Sequence, residues 1–363
     1  MRLEARPTVS RVALVAAPVG AVAATLLICA LLVTWAGAPV GRAYLSLLQG
    51  GFGSRFAWSE TLTRATPLML TGLAVAVAFR ARLFNIGAEG QLYLGALAAV
   101  AVGGQVDGGA APWAAQLPAG LLFVLMVAAG MLAGALLLLG PAWLKLRLGV
   151  DEVVTTLLLN FIVLLLVSWM LDGPMKDPLA MGWPQSVALL PEMELSRLME
   201  RSRVHSGLLA ACALAVAVWA MNRYTVFGLQ MRAVGANARA AAFAGMPVGR
   251  VTLLAALLSG ALAGLAGVVE VAGRTSYLTL DMSPGYGYAG VVIAMLAGLN
   301  PLGVVAASVF VAGVLVGADG MSRAVGVPNA IADVIVAVAL LTMLVATMLT
   351  RYRIRLDRMR GVA

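Results

Sequence analysis

The sequence predicts an all-α, polytopic transmembrane bundle of about ten spans, and three observations carry that expectation. Of 363 residues, 62% are hydrophobic and only 11% charged, against roughly 25% charged in a typical soluble domain. Mean hydropathy is +0.97. Apolar runs recur along the chain at lengths near the roughly 20 residues that cross a bilayer as a helix. In lipid the backbone must satisfy its own hydrogen bonds, so such runs form helices. A polytopic bundle is one body, so residues 1–363 are expected to form a single domain.

The first run, from Val12 to Trp35, follows Arg2, Arg6 and Arg11. It exceeds the ~7–15 residues of a signal-peptide core and reads as an uncleaved anchor. Further spans are expected at 62–80, 86–104, 114–140, 153–171, 207–221, 251–272, 287–299, 302–318 and 328–350. Trp35, Trp113, Trp143, Trp169 and Trp219 fall near span ends, where indoles prefer to sit. The pairs Gly130/Gly134, Gly260/Gly264 and Gly313/Gly317 recur at helix spacing and allow close backbone approach.

Orientation follows from the basic flanks. With the N-terminus inside, 16 of the 25 basic residues lie in inside flanks and tails, five of them between Arg351 and Arg360. Ten spans return the C-terminus to the same side, so the tails 1–11 and 351–363 are expected in the cytoplasm. The net charge of +9 is split into short clusters between apolar runs, which favours a lipid surface over a nucleic acid. Residues 172–206, with four prolines, form an expected external loop with room for a short surface helix. Residues 222–250 form an expected cytoplasmic loop with Arg223, Arg232, Arg239 and Arg250 and no acid. Its Ala-rich middle predicts a short helix ended by Gly245.

No catalytic constellation is visible. Lys145 and Lys176 both lack the context of a phosphate-binding P-loop. Gly285-x-Gly287-x-x-Gly290 matches the dinucleotide fingerprint in letters, but it opens an apolar span instead of a helix following a strand. The lone His205 has no metal-ligating neighbour in sequence, and Cys29 and Cys212 read as small buried hydrophobes. No cofactor is implied, and the chain is not expected to be an enzyme.

The strongest polar signal is Phe84-Asn85-Ile86-Gly87-Ala88-Glu89-Gly90-Gln91. An acid and two amides at membrane depth, spaced by glycines, suit a broken helix that lines a route or gate. The alternative is a polar clamp between helices. Glu152, Thr156 and Asn160 share one i, i+4 face and either face the same route or pack inward. Asp151 and Glu152 sit where carboxylates cap a helix. Glu270, Asp281 and Asp333 are expected to be structural, with Glu270 reaching the interface.

Four blocks in order, Pro67–Ala96, Asp151–Ile162, Gly228–Met246 and Gly285–Gly303, resemble the permease subunits of ABC importers for branched-chain amino acids, ribose and nucleosides. FNIGAEGQ is most similar to the nucleoside type. The sequence departs from the family pattern at Arg82, where glycine is common, and at Asp151, Ala242 and Phe243. The resemblance implies a bundle that pairs with a second permease subunit. It implies an ATP-binding cassette ATPase subunit inside and a substrate-binding lipoprotein outside, in a bacterial inner membrane. On that basis Phe84, Asn85, Glu89, Gln91, Thr156 and Asn160 would line the substrate path. Arg232, Asn237, Arg239, Ala241 and Gly245 would couple to the ATPase. Import of a nucleoside is the leading expectation, with a sugar or branched-chain amino acid, or a stand-alone secondary transporter, as alternatives.

Overall fold

The computed structural model describes residues 2–5, 11–200 except 107, 108 and 110, 202–326, 352–355 and a few positions from 334 to 346. The described chain is helical apart from two four-residue strands and isolated bridges. Strand β1 (Arg2–Ala5) pairs antiparallel with β2 (Tyr352–Arg355), with Glu4 opposite Arg353. This pairing departs from the all-α expectation and brings the two ends of the chain together.

Among the described residues six helices are long and apolar enough to cross a membrane. They are α3 (Arg55–Arg80), α5 (Ala119–Leu148), α6 (Glu152–Asp172), α7 (Gly207–Tyr224), α10 (Val248–Glu270, extended by a π turn to Thr275) and α12 (Pro301–Val325). A seventh crossing arises if α1 (Arg11–Trp35) and α2 (Val40–Phe52), bent by 117°, count as one span. Two expected spans are shorter helices: α4 (Ala88–Gly103) has 16 residues and α11 (Tyr286–Leu296) has 11. The expected span at 328–350 and Asp333 lie almost wholly outside the described residues. Helix α2 occupies a stretch to which the sequence reading assigned no element.

The chain divides into two compact units, 1–58 with 313–363 and 59–312. In the first, α1 and α2 meet the second half of α12 around Cys29, Val33, Ala43, Ala318 and Met321. Gly317 lies against the backbone of Leu47 and Gly313 against the ring of Phe52, so α2 and α12 touch nearly backbone to backbone. The glycine pair read from the sequence has this use.

In the second unit α4, α5 and α10 pack mutually. A Cβ on Gly134 would run into the Gly260 carbonyl and lie 2.8 Å from the Gly264 Cα. Gly264 in turn lies against Gly130, and Gly95 of α4 against Gly264. Small residues permit this approach, and dispersion between close backbones holds helices together where lipid offers no hydrophobic gain. Leu157, Leu158, Phe161, Ile162, Leu165 and Trp169 of α6 are exposed, an apolar outer face that suits hydrocarbon. Trp35, Trp143 and Trp169 are likewise exposed.

The connection 172–206 is tied down by backbone bonds such as Gln105 N to Ala188 O at 2.8 Å and Leu195 N to Ala272 O at 2.8 Å. Its expected helix is a single 3₁₀ turn, Pro191–Met193, with Met193 buried. His205 ends this connection, buried against Gly207 and Gly273, and neither ring nitrogen has a hydrogen-bond partner. Burial lowers its pKa from 6.5 to about 4, because a charged imidazole there would lose its hydration.

Two outcomes follow. On α10, Gly264→Val should cost about 3 kcal/mol or more, since the facing backbone cannot retreat. Gly249→Ala, with open space around it, should be neutral or gain up to about 1 kcal/mol. Melting midpoints in detergent read both. For His205 the folded-state pKa lies below the unfolded value. The unfolded chain therefore takes up the proton first, and stability falls as pH drops from about 6.5 towards 4. His205→Leu should flatten that part of the pH profile.

Candidate functional site

Helix α3 ends in a Schellman motif: Leu83 N bonds Ala78 O and Arg82 N bonds Phe79 O, both at 3.0 Å. The motif wants a left-handed residue, usually glycine, at its penultimate position. Arg82 occupies it at φ 53°. The chain then runs from Leu83 to Ile86 outside any helix before α4 begins. Asn85 and Leu83 in this stretch are fully buried, so its backbone groups need partners from the protein.

The stripe Glu152, Thr156 and Asn160 supplies them. Glu152 Oε1 accepts from Phe84 N at 3.1 Å, and Thr156 Oγ1 accepts from Ile86 N at 3.3 Å. Asn160 Oδ1 accepts from Gly90 N at 2.8 Å, and its Nδ2 donates to Ile86 O at 3.0 Å and to the Tyr288 hydroxyl at 3.2 Å. Lys145 pairs with Glu152 and donates to Arg82 O at 2.7 Å. The i, i+4 face read from the sequence is therefore buried against the broken segment. Asp151 caps α6 through Val153 N, as expected, whereas Glu152 serves Phe84 of the broken segment and Lys145.

Asn85 and Gln91 exchange two amide bonds of 2.9 Å each. Asn85 also donates to Ser259 Oγ at 3.1 Å, and Ser259 donates to Ala74 O. Glu89, in the first turn of α4, accepts from Gly287 N at 2.6 Å in the first turn of α11. One carboxylate thus stands where the positive ends of two short helices meet. Gly287 must be glycine because a Cβ would strike the Glu89 backbone, and Gly290 because it lies against Thr71. The glycines that imitate a nucleotide fingerprint are packing devices. Phe84 alone of the six path residues is well exposed; it packs edge-to-face on Phe79 at 5.2 Å.

The expected coupling residues lie together in the link between α7 and α10. Helix α8 (Val226–Ala236) leads to Asn237, whose Oδ1 accepts from Arg239 N and Ala240 N at 3.0 and 3.1 Å and so starts α9 (Ala238–Phe243). Gly245, at φ 79°, ends it. Arg232 and Arg239 are exposed, while Ala241 is buried and seats the helix. Phe243, which the sequence reading passed over for this role, is 96% exposed.

Glu270 does not reach an interface. It is fully buried and paired with Arg274, which corrects the expectation; the π turn after α10 carries Arg274 back over it. Elsewhere, a cavity of about 710 Å³ is lined by Gln105, Lys176, Asp177 and apolar neighbours, and touches none of the expected path residues.

Asn160→Leu should cost about 2–4 kcal/mol, because it strips partners from Gly90 N and Ile86 O together. Phe161→Leu, on the exposed side of the same helix, should change the melting midpoint little.

Residues 57–347 match the family described as the permease component of branched-chain amino acid transport systems. The chain is 37% identical over 314 residues to the guanosine ABC transporter permease protein NupP of Bacillus subtilis, covering 86% of this chain and 88% of the relative. It is 38% identical over 313 residues to the glucose ABC transporter permease protein TsgB13 of Haloferax volcanii, covering 83% and 79%. It is 31% identical over 306 residues to the nucleoside ABC transporter permease protein NupB of Lactococcus lactis, covering 81% and 80%. The chain is a multi-pass protein of the bacterial plasma membrane and belongs to the family of ABC transporter permease components of the branched-chain amino acid type.

Proposed function

We propose that this chain is the membrane-spanning subunit of a nucleoside importer driven by separate ATPase subunits. The observation that carries the reading is the meeting of α4 and α11. Both are too short to span, both begin inside the apolar bundle, and their N-termini meet at Glu89. Discontinuous helices of this kind give a transporter its polar, movable midsection. The guanosine and nucleoside permeases among the relatives support a nucleoside cargo. Glucose is the second reading, because the glucose permease is equally similar. Guanosine and glucose both carry adjacent ring hydroxyls.

In this reading the bundle is one permease domain whose about ten apolar segments include the two short helices α4 and α11, with both termini and the 222–250 loop in the cytoplasm and 172–206 outside. The pairing of β1 with β2 supports termini on one side. Phe84, Asn85, Glu89, Gln91, Thr156 and Asn160 form the gate. Separation of α6 from the 84–90 segment would release the amides towards a neutral, hydrogen-bonding cargo. Helix α9, with Arg232, Asn237, Arg239, Ala241 and Gly245 around it, docks on the ATPase, and Phe243 enters the apolar part of that contact. A second permease and an external binding lipoprotein complete the assembly. ATP hydrolysis belongs to the partner, since the chain itself carries no P-loop lysine.

Uptake of labelled guanosine by cells with the complete importer should fall at least about tenfold when this gene is deleted, an order of magnitude or 1.4 kcal/mol. Phe243→Asp should give a similar loss at unchanged membrane abundance. Unaltered guanosine uptake together with lost glucose uptake would move the cargo to a sugar.

A further inference from the structure

Helix α6 has 21 residues, about 32 Å of rise, enough to cross the roughly 30 Å hydrocarbon core once. Its last turn therefore lies at a membrane interface, and the exposed Trp169 suits that level. The chain stays there, because Met175 N bonds back to Met170 O at 2.9 Å. Residues 176–186 then form a hairpin. Lys176 pairs with Ser186, and Asp177 N donates to Gln185 O at 3.0 Å. The Asp177 carboxylate accepts from Leu179 N at 2.8 Å and from Gln185 Nε2 at 3.1 Å. Trp183 N donates to Ala180 O at 2.9 Å. The turn is thus braced, yet its tip points apolar side chains outward. Leu179 is 87% exposed, Met181 101% and Trp183 63%. Residues 178–184 carry no charge, and Asp172, Lys176 and Asp177 stay at the base. Met181 holds a left-handed φ of 49°, a conformation that glycine takes more easily. The turn therefore keeps a large apolar side chain at a backbone cost.

We propose that residues 178–184 are an interfacial anchor, with Leu179, Met181 and Trp183 inserted into the phospholipid leaflet at the C-terminal end of α6. Apolar side chains shed water only where something apolar covers them, and phospholipid lies at this level. Leu179 is three residues from Lys176, at most about 10 Å of chain. Interfacial segments bury their apolar face about 5–10 Å deep, so the tip has the necessary reach. The exposed apolar residues of α6 run up to Trp169, and the tip extends that surface. Lys176, at the base, is placed to keep its ammonium among the headgroups while its stem lies along apolar surface. The returning arm of the hairpin bonds the connection between α10 and α11: Ser186 N donates to Leu278 O at 3.0 Å and Leu189 N to Ser276 O at 2.7 Å. Lipid at the tip thereby fixes the depth of the approach to α11. The anchor is independent of the cargo and of the importer reading.

The test uses the full chain in nanodiscs, first alone and then with partner subunits and the external binding protein. In a Cys29→Ala, Cys212→Ala background, Leu179→Cys or Met181→Cys carries a bimane label; both positions are exposed, so neither change disturbs packing. In the chain alone, phospholipid brominated on its acyl chains should quench either label by about half or more, and aqueous iodide by less than about a tenth, as expected of a group at interfacial depth. A label at Glu192→Cys, exposed on the same connection, should respond the other way round. Adding Leu179→Asp and Trp183→Asp to the Met181→Cys chain should bring its label within reach of iodide. If the cysteine-free background expresses poorly, tryptophan emission reads the same contact: brominated lipid should quench wild type more than Trp183→Phe. Quenching by iodide and not by lipid, or equal lipid quenching of wild type and Trp183→Phe, overturns the anchor. Iodide quenching that disappears only when a partner is added overturns it too, and makes the tip a protein-docking surface.

Discussion

The architecture depends on one constraint: a stretch of chain inside an apolar bundle cannot leave its amides bare. Residues 83–86 leave the helical pattern where no water is available to replace the lost bonds. Glu152, Thr156 and Asn160 satisfy Phe84, Ile86 and Gly90 in succession. Between Glu152 and Thr156 the helix face advances about 6 Å, close to the advance of the two extended residues from Phe84 to Ile86. That match lets one regular helix chaperone one irregular strand of backbone. Glu89 then ties α4 to α11, and Asn85 ties the segment to α10 through Ser259. Remove the stripe and α4 has no fixed starting point.

Much of this was legible in the sequence because it follows from periodicity. Helix α6 showed its inward face as polar letters four apart. The α5–α10 seam appeared as two glycine pairs, and α9 as alanines between Asn237 and Gly245. Hydropathy also located the long helices. The short run at 287–299 already marked α11, but hydropathy did not reveal that α4 falls short of a full crossing, because its apolar letters continue the pattern of a span while the chain geometry breaks it. Helix α2 went unread because its polar and glycine positions dilute the signal that marks a crossing. Nor could spacing foresee the Glu270–Arg274 pair. An i, i+4 acid and base at a span end normally reads as a surface contact, and only the packing of α11 and α3 around it makes it interior.

The polar groups of the second unit serve unlike purposes. Those around Asn85 are mutually satisfied, so they favour one arrangement of the backbone and resist small displacements; a network of this kind either holds or lets go as a whole. The pair at Glu270 leaves one carboxylate oxygen without a donor. The α8–α9 link faces outward with arginines and one phenyl ring, and it contacts the end of α3 where Gly235 lies against the Arg80 carbonyl. A force applied to that link therefore acts within a few residues of the place where α3 gives way to the broken segment.

The glycine seam between α5 and α10 has a consequence for how such a protein can change over time. Where two main chains touch, no side-chain volume exists to be traded, and a substitution on one helix cannot be rescued by trimming the other. The outer face of α6, by contrast, is exposed and apolar, and leucine, isoleucine, valine and phenylalanine can replace one another there without repacking the bundle. Evolutionary drift in this chain is therefore channelled outward, towards lipid, while the innermost crossing stays frozen in glycine.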